Sequence, residues 1–132
     1  MKLTKSGNET TRPRIFIVED EGIIALGLQD MLRSFGYDAY DYEVNGDLSL
    51  ESILESKPDL LLIDINLQCR IDGIDIVEQL YRVMYIPVIY FTAYSNPETI
   101  GRAAATRPCG YLSKPIDENE LKASIEAALA GY

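Results

Sequence analysis

The stretch Leu60-Leu61-Leu62-Ile63-Asp64 decides how the rest of the chain is read. Four aliphatic residues in a row have the length of a strand and no polar alternation, which suits a strand covered on both faces in a parallel sheet. Two further runs have the same character, Ile15-Phe16-Ile17-Val18 and Val88-Ile89-Tyr90-Phe91. Two candidates differ. Tyr37 to Val44 mixes aromatic and charged residues, and Cys109-Gly110-Tyr111-Leu112 is short, so both read as edge strands.

Between these runs lie helix-like segments. Over residues 22–35 the spacing of Ile23, Leu26, Met31 and Phe35 predicts a helix stopped by Gly36. Segments near 47–56 and 74–84 fill two more slots. Ser95 with Glu98 and Pro97 resembles a capping box for a fourth helix. Asp117 and Glu120 open a fifth, with Leu121, Ile125, Ala128 and Leu129 on its buried face. Alternating strands and helices predict an α/β fold, a doubly wound parallel five-stranded sheet with helices on both faces. Three interior and two edge strands fit the flavodoxin-like (βα)5 order 2-1-3-4-5. Ligands of such sheets bind outside the carboxyl ends of the strands.

Residues 1–12 are polar and aperiodic and read as a flexible leader, leaving residues 13–132 as one domain. The balance of 47% apolar and 25% charged residues is that of a soluble globular chain. No run approaches the roughly 20 apolar residues of a membrane span, and no signal-peptide core directs the chain out of the cytoplasm. Cys69 and Cys109 read as free thiols. A net charge of −9 without a basic cluster argues against direct nucleic-acid binding. The chain has no histidine, which excludes histidine-based triads, imidazole zinc sites and a phosphohistidine of its own.

Chemistry is therefore sought at the strand ends: Glu19-Asp20-Glu21, Asp64, Thr92-Ala93 and Ser113-Lys114-Pro115. Any one of these is ordinary, as a turn, a cap or a surface charge. Their order at successive strand ends is not. Carboxylates brought together need a cation or raised pKa values to coexist. Mg²⁺ suits carboxylate oxygens and phosphate together. A carboxylate nucleophile with a metal, a lysine and a hydroxyl describes phosphoryl transfer.

These motifs, together with Leu62 to Leu67, Asp72-Gly73, Phe91-Thr92-Ala93 and Tyr111 to Pro115, resemble the receiver domains of two-component response regulators (CheY-like) over residues 14–130. The resemblance implies a phosphoacceptor at Asp64, with catalytic support from Thr92 and Lys114. It implies Mg²⁺, or Mn²⁺ in its place, held by Glu19, Asp20, Asp64 and the backbone carbonyl of Asn66. It further implies a switch pair of Thr92 and Tyr111 and a cis bond before Pro115. The implied partners are a histidine kinase or histidine phosphotransfer protein and a downstream protein or effector. The signalling face would be the fourth helix, fifth strand and fifth helix, through which a homodimer could also form.

This sequence departs from the family pattern at Glu19, where Asp is commoner, and in the loop from Asn66 to Gly73, which reads one residue long. Tyr94 is bulky enough to screen the site and prolong the phosphoryl lifetime. Two other readings stay open beside a phosphorylation-independent scaffold. A small Asp-nucleophile phosphatase would carry a second Asp where Asn66 stands. A flavodoxin-type FMN carrier would want a phosphate-binding loop where Glu19-Asp20-Glu21 would repel it.

Overall fold

The computed structural model describes residues 12–93 and 96–131. Five strands, β1 (Ile15–Val18), β2 (Tyr42–Glu43), β3 (Leu60–Asp64), β4 (Val88–Thr92) and β5 (Gly110–Ser113), form one parallel sheet in the order 2-1-3-4-5. Five helices connect or follow them: α1 (Gly22–Ser34), α2 (Ser49–Ser56), α3 (Gly73–Leu80), α4 (Pro97–Ala105) and α5 (Glu118–Ala130).

The two-residue period of the strands builds two cores, one on each face. Ile15, Ile17, Leu60, Leu62, Ile89 and Phe91 meet Leu28 and Leu32 of α1 and Leu121 and Ile125 of α5. Phe16, Val18, Leu61, Ile63, Val88 and Tyr90 meet Ile53 of α2, Ile74, Val77 and Leu80 of α3, and Ala103 of α4. All residues of β1, β3 and β4 are buried, which explains why their sequences carry no polar alternation.

The helices and edges depart from the sequence expectations in six places. The first helix ends at Ser34, and its buried stripe is Ala25, Leu28, Gln29 and Leu32 rather than the Ile23 and Leu26 set, which are 87% and 50% exposed. Positions 25, 28, 29 and 32 follow the helical period more closely, and Gln29 is accommodated because its Nε2 donates to the Tyr40 carbonyl at 3.0 Å. The second strand shrinks to two residues, supplemented by an isolated bridge from Arg14 to Asp38, because its charged side chains belong at an open edge. β5 begins one residue later than expected, at Gly110.

The fourth helix is capped by Asn96, not by Ser95. Asn96 Oδ1 accepts the Thr99 N–H at 2.8 Å, and Pro97 occupies the first helical turn, so the residue before the proline is the cap. Ser95 and Tyr94 lie outside the described residues, as do residues 1–11 of the expected leader. The segment expected at 47–56 is a 3-10 turn, Gly46–Leu48, leading into α2, and that expected at 74–84 is helical only to Leu80. Asp117 caps α5 as expected, accepting from the Glu120 N–H at 2.8 Å.

Candidate functional site

The parallel sheet brings the carboxyl ends of β1, β3, β4 and β5 to one rim. There Glu19, Asp64 and Thr92 are 0%, 2% and 2% exposed, which is unusual for two acidic side chains. Lys114, just past β5, sits between the carboxylates. Its Nζ lies 2.9 Å from Glu19 Oε1 and 2.9 Å from Asp64 Oδ2. Glu19 Oε1 has this ionic contact but no aligned hydrogen bond, while Glu19 Oε2 accepts the Glu21 N–H at 3.0 Å. The other Asp64 oxygen accepts the Asn66 N–H at 2.9 Å.

Asp20 is less buried and is tied to the loop after β3, its Oδ2 accepting the Gln68 N–H at 2.6 Å. Asn66 also reaches across the rim, its side-chain Nδ2 donating to Thr92 Oγ1 at 2.5 Å. The Lys114 N–H donates to the Thr92 carbonyl at 2.9 Å, and the Lys114–Pro115 peptide is cis. These bonds join β3, β4 and β5 at the level of the site.

Burial pushes the Glu19 carboxyl up to about 7, with Asp64 adding repulsion, although the Lys114 and Glu21 hydrogen bonds pull the other way. Burial alone would lower Lys114, but its hydrogen bonds to Asp64 and Glu19 hold it above its ordinary value. One lysine thus compensates two buried carboxylates incompletely. Carboxylate oxygens of Glu19, Asp20 and Asp64 lie within 4.8 Å of one another, the only such acidic group among the described residues. A hard divalent cation fits this donor set: three carboxylate oxygens, one of them buried without an aligned hydrogen bond.

A cleft of about 640 Å³ opens above these residues, walled by Val44 to Asp47 on one side and by Asn66, Gln68 and Cys69 on another. A second groove of about 510 Å³ shares Ala93 and Lys114 with it and is lined by Ile24, Gly27 and Met31 of α1 together with Pro115 and Ile116.

Several supports were not visible in the sequence. Asp72 caps α3 in a reciprocal capping box with Asp75, the two bonds being 2.9 and 3.0 Å. A Cβ on Gly73 would run into the Asp64 carbonyl oxygen, so only glycine allows α3 to start directly against the backbone of the third strand. Tyr111 pairs in register with Tyr90, packs on the core of the α2, α3 and α4 face, and has a buried hydroxyl without a hydrogen-bond partner. No periodicity announces such contacts. Asp72-Gly73 and Tyr111, the latter implied as a switch residue, were the only sequence signals for any of them.

The response regulator receiver domain family matches residues 15–126. The chain belongs to this family. Among curated relatives, the receiver is 32% identical over 119 residues to the transcriptional regulatory protein PdtaR of Mycobacterium tuberculosis, covering 90% of this chain and 58% of that one. It is 36% identical to the transcriptional regulatory protein ZraR of Escherichia coli, covering 88% of this chain and 26% of that one. The chain therefore spans between about a quarter and three fifths of these two relatives.

Among solved structures, the signal receiver domain of a modulated diguanylate cyclase from Desulfovibrio desulfuricans superposes with a TM-score of 0.84 at 34% identity, covering 92% of this chain and 96% of that one. A CheY-like receiver from Methanospirillum hungatei gives 0.85 at 23% identity over 92% and 96%, a likeness of fold. As a receiver, the chain is a signalling domain of two-component systems. Among the described residues, no helix is long and apolar enough to cross a membrane.

Proposed function

We propose that this receiver accepts a phosphoryl group on Asp64 from a partner's phosphohistidine in a Mg²⁺-dependent reaction, and signals through the face formed by α4, β5 and α5. The observation that carries this reading is the placement of Lys114 Nζ 2.9 Å from both buried carboxylates, Glu19 and Asp64, beside Asp20. Glu19, Asp20 and Asp64, with the Asn66 carbonyl, would hold Mg²⁺ or Mn²⁺. When bound, the ion supplies charge neutralisation for the transferring phosphoryl oxygens.

The chain's own residues do the rest. An Asp64 oxygen attacks phosphorus, the O–P bond forms, and the P–N bond to the donor imidazole breaks. The imidazole nitrogen leaves with the bond's electron pair and picks up a proton. Lys114, held charged by its surroundings, balances the charge on the phosphorylated side chain. Thr92 then turns its hydroxyl from Asn66 to a phosphoryl oxygen. The space that this movement alters is filled by the Tyr111 ring, and the two conformations exchange population.

The donor would approach over α1, whose Ile24, Gly27 and Met31 line a groove shared with Lys114, and which also exposes Ile23 and Leu26. Downstream, the partner would be a protein or an effector domain, as the names of the transcriptional relatives suggest, and a homodimer through α4, β5 and α5 is part of the same reading. A phosphatase is less well supported, because Asn66 spends its side chain on Thr92 and offers no acid or base.

Intact-mass analysis after incubation with Mg²⁺ and acetyl phosphate tests the reading. Wild type should gain one labile phosphoryl group of about 80 Da, lost with chelator, and Asp64→Asn should gain none. No gain on a folded wild type, or an equal gain on Asp64→Asn, would refute it.

A further inference from the structure

α4 is held unusually lightly. Of its nine residues only Ala103 is buried, so apolar burial contributes little to where the helix sits. Polar contacts hold it instead. At its C-terminal end the Tyr90 hydroxyl and Thr106 Oγ1 lie 2.8 Å apart, with Thr106 also donating to the Ala103 carbonyl at 2.7 Å. In its last turn, Arg102 reaches over to α3. Its Nη1 lies 2.8 Å from Asp72 Oδ2, and its Nη2 lies 2.9 Å from Asp75 Oδ1 and 3.4 Å from Asp72 Oδ1.

The two aspartates are the capping box of α3, whose first residue, Gly73, abuts the Asp64 carbonyl. One guanidinium fork therefore ties α4 to the element that backs the acceptor. These groups are only about a third exposed, so water screens the fork incompletely. The pair is also electrostatically matched. Burial opposes ionisation of Asp72, yet the Arg102 hydrogen bonds and the Asp75 N–H keep its carboxyl below the ordinary value.

α4 is also joined to the site along the chain, because Thr92 is separated from Pro97 by four residues. Thr92 now receives the Asn66 side chain. If turning it toward a group on Asp64 moves the end of β4, that movement reaches the start of α4 through this short connection, while Arg102 holds the helix just over one turn further on. We propose that Arg102 is a latch between α4 and the α3 capping box, and that its closure opposes occupancy of Asp64 by a phosphoryl group. The inference rests on the phosphoacceptor reading and adds the contact that sets the position of the equilibrium. By linkage, a latch that disfavours the occupied site is itself opened by occupancy. With the Tyr90–Thr106 contact intact, α4 would pivot about its C-terminal end.

The test uses the whole chain and beryllium fluoride with Mg²⁺ as a stable phosphoryl analogue. Its affinity is measured by calorimetry for wild type, Arg102→Gln, Asp75→Asn and the double variant. Arg102→Gln should bind the analogue about fivefold more tightly, within the usual range of coupling between sites. Asp75→Asn should move in the same direction, and the double variant should bind no tighter than Arg102→Gln. Hydrogen exchange of the α4 amides should speed up in Arg102→Gln without analogue, and wild type with analogue should show the same change. Unchanged or weaker analogue binding in both single variants would overturn the latch, since a merely structural ion pair would lower stability without tightening the site. If wild type itself fails to bind the analogue, the phosphoacceptor reading falls, and the latch falls with it.

Discussion

Raising the pH of the metal-free protein from 5 to 8 should destabilise it, and Glu19 is the residue that makes it do so. In the unfolded chain Glu19 ionises near its ordinary 4.5, whereas burial in the native rim pushes it up to about 7. Between these values the native state binds more protons than the unfolded state, so stability falls as pH rises. The stabilisation is fully present below about 4.5, is lost progressively toward 7, and changes no further above that. Each pH unit across this window is worth about 1.4 kcal/mol, so the whole loss is roughly 3 kcal/mol. For a domain of this size that corresponds to a melting shift on the order of 10 °C.

Urea unfolding followed by circular dichroism at pH 5, 6, 7 and 8 in chelator would measure it, with Glu19→Gln as the control. The variant should lose most of the slope. The lowered Asp72 does not interfere, because it acts below its ordinary 3.8 and with the opposite sign. Added Mg²⁺ should restore stability chiefly above pH 7, where Glu19 is ionised and available as a ligand. A flat wild-type profile, or an unchanged slope in Glu19→Gln, would refute the account of Glu19 as a carboxylate whose charge burial disfavours.

Lys114→Met leaves Glu19 and Asp64 facing each other without their cation, and at pH 8 should cost about 3 kcal/mol in chelator, with a smaller deficit in Mg²⁺. Denaturant midpoints in the two buffers would show it. Tyr111→Phe removes a buried hydroxyl that lacks a partner and should stabilise the unphosphorylated protein by about 1 kcal/mol, read as a higher melting temperature. A loss of stability would mean that this hydroxyl is satisfied in solution. Gly73→Ala must push α3 off the Asp64 carbonyl and should destabilise by about 2 kcal/mol while slowing acceptance of phosphoryl from acetyl phosphate. Equal stability and rate would show that α3 and β3 are not in tight register.

The sequence by itself determined the sheet and most of the rim. Ile15 to Val18, Leu60 to Ile63 and Val88 to Phe91 have no polar alternation, and only a sheet covered on both faces buries such runs completely. Once those strands run parallel, Glu19, Asp64, Thr92 and Lys114 must converge, because strand ends are fixed by the chain. The weaker elements were harder to read because their sequence signals compete. Ile23 and Leu26 advertise an apolar face, yet Ala25, Leu28 and Leu32 bury better, and burial is settled by what packs opposite rather than by hydrophobicity alone.

Only the tertiary structure decided how the rim is wired. That Lys114 bridges two carboxylates, that Asn66 occupies Thr92, and that Arg102 ties α4 to the helix behind Asp64 are contacts between residues 26 to 95 positions apart. Such pairings follow from side-chain reach across packed elements. No local propensity or period encodes that reach, so the strand ends could be read from the chain while the bonds between them could not.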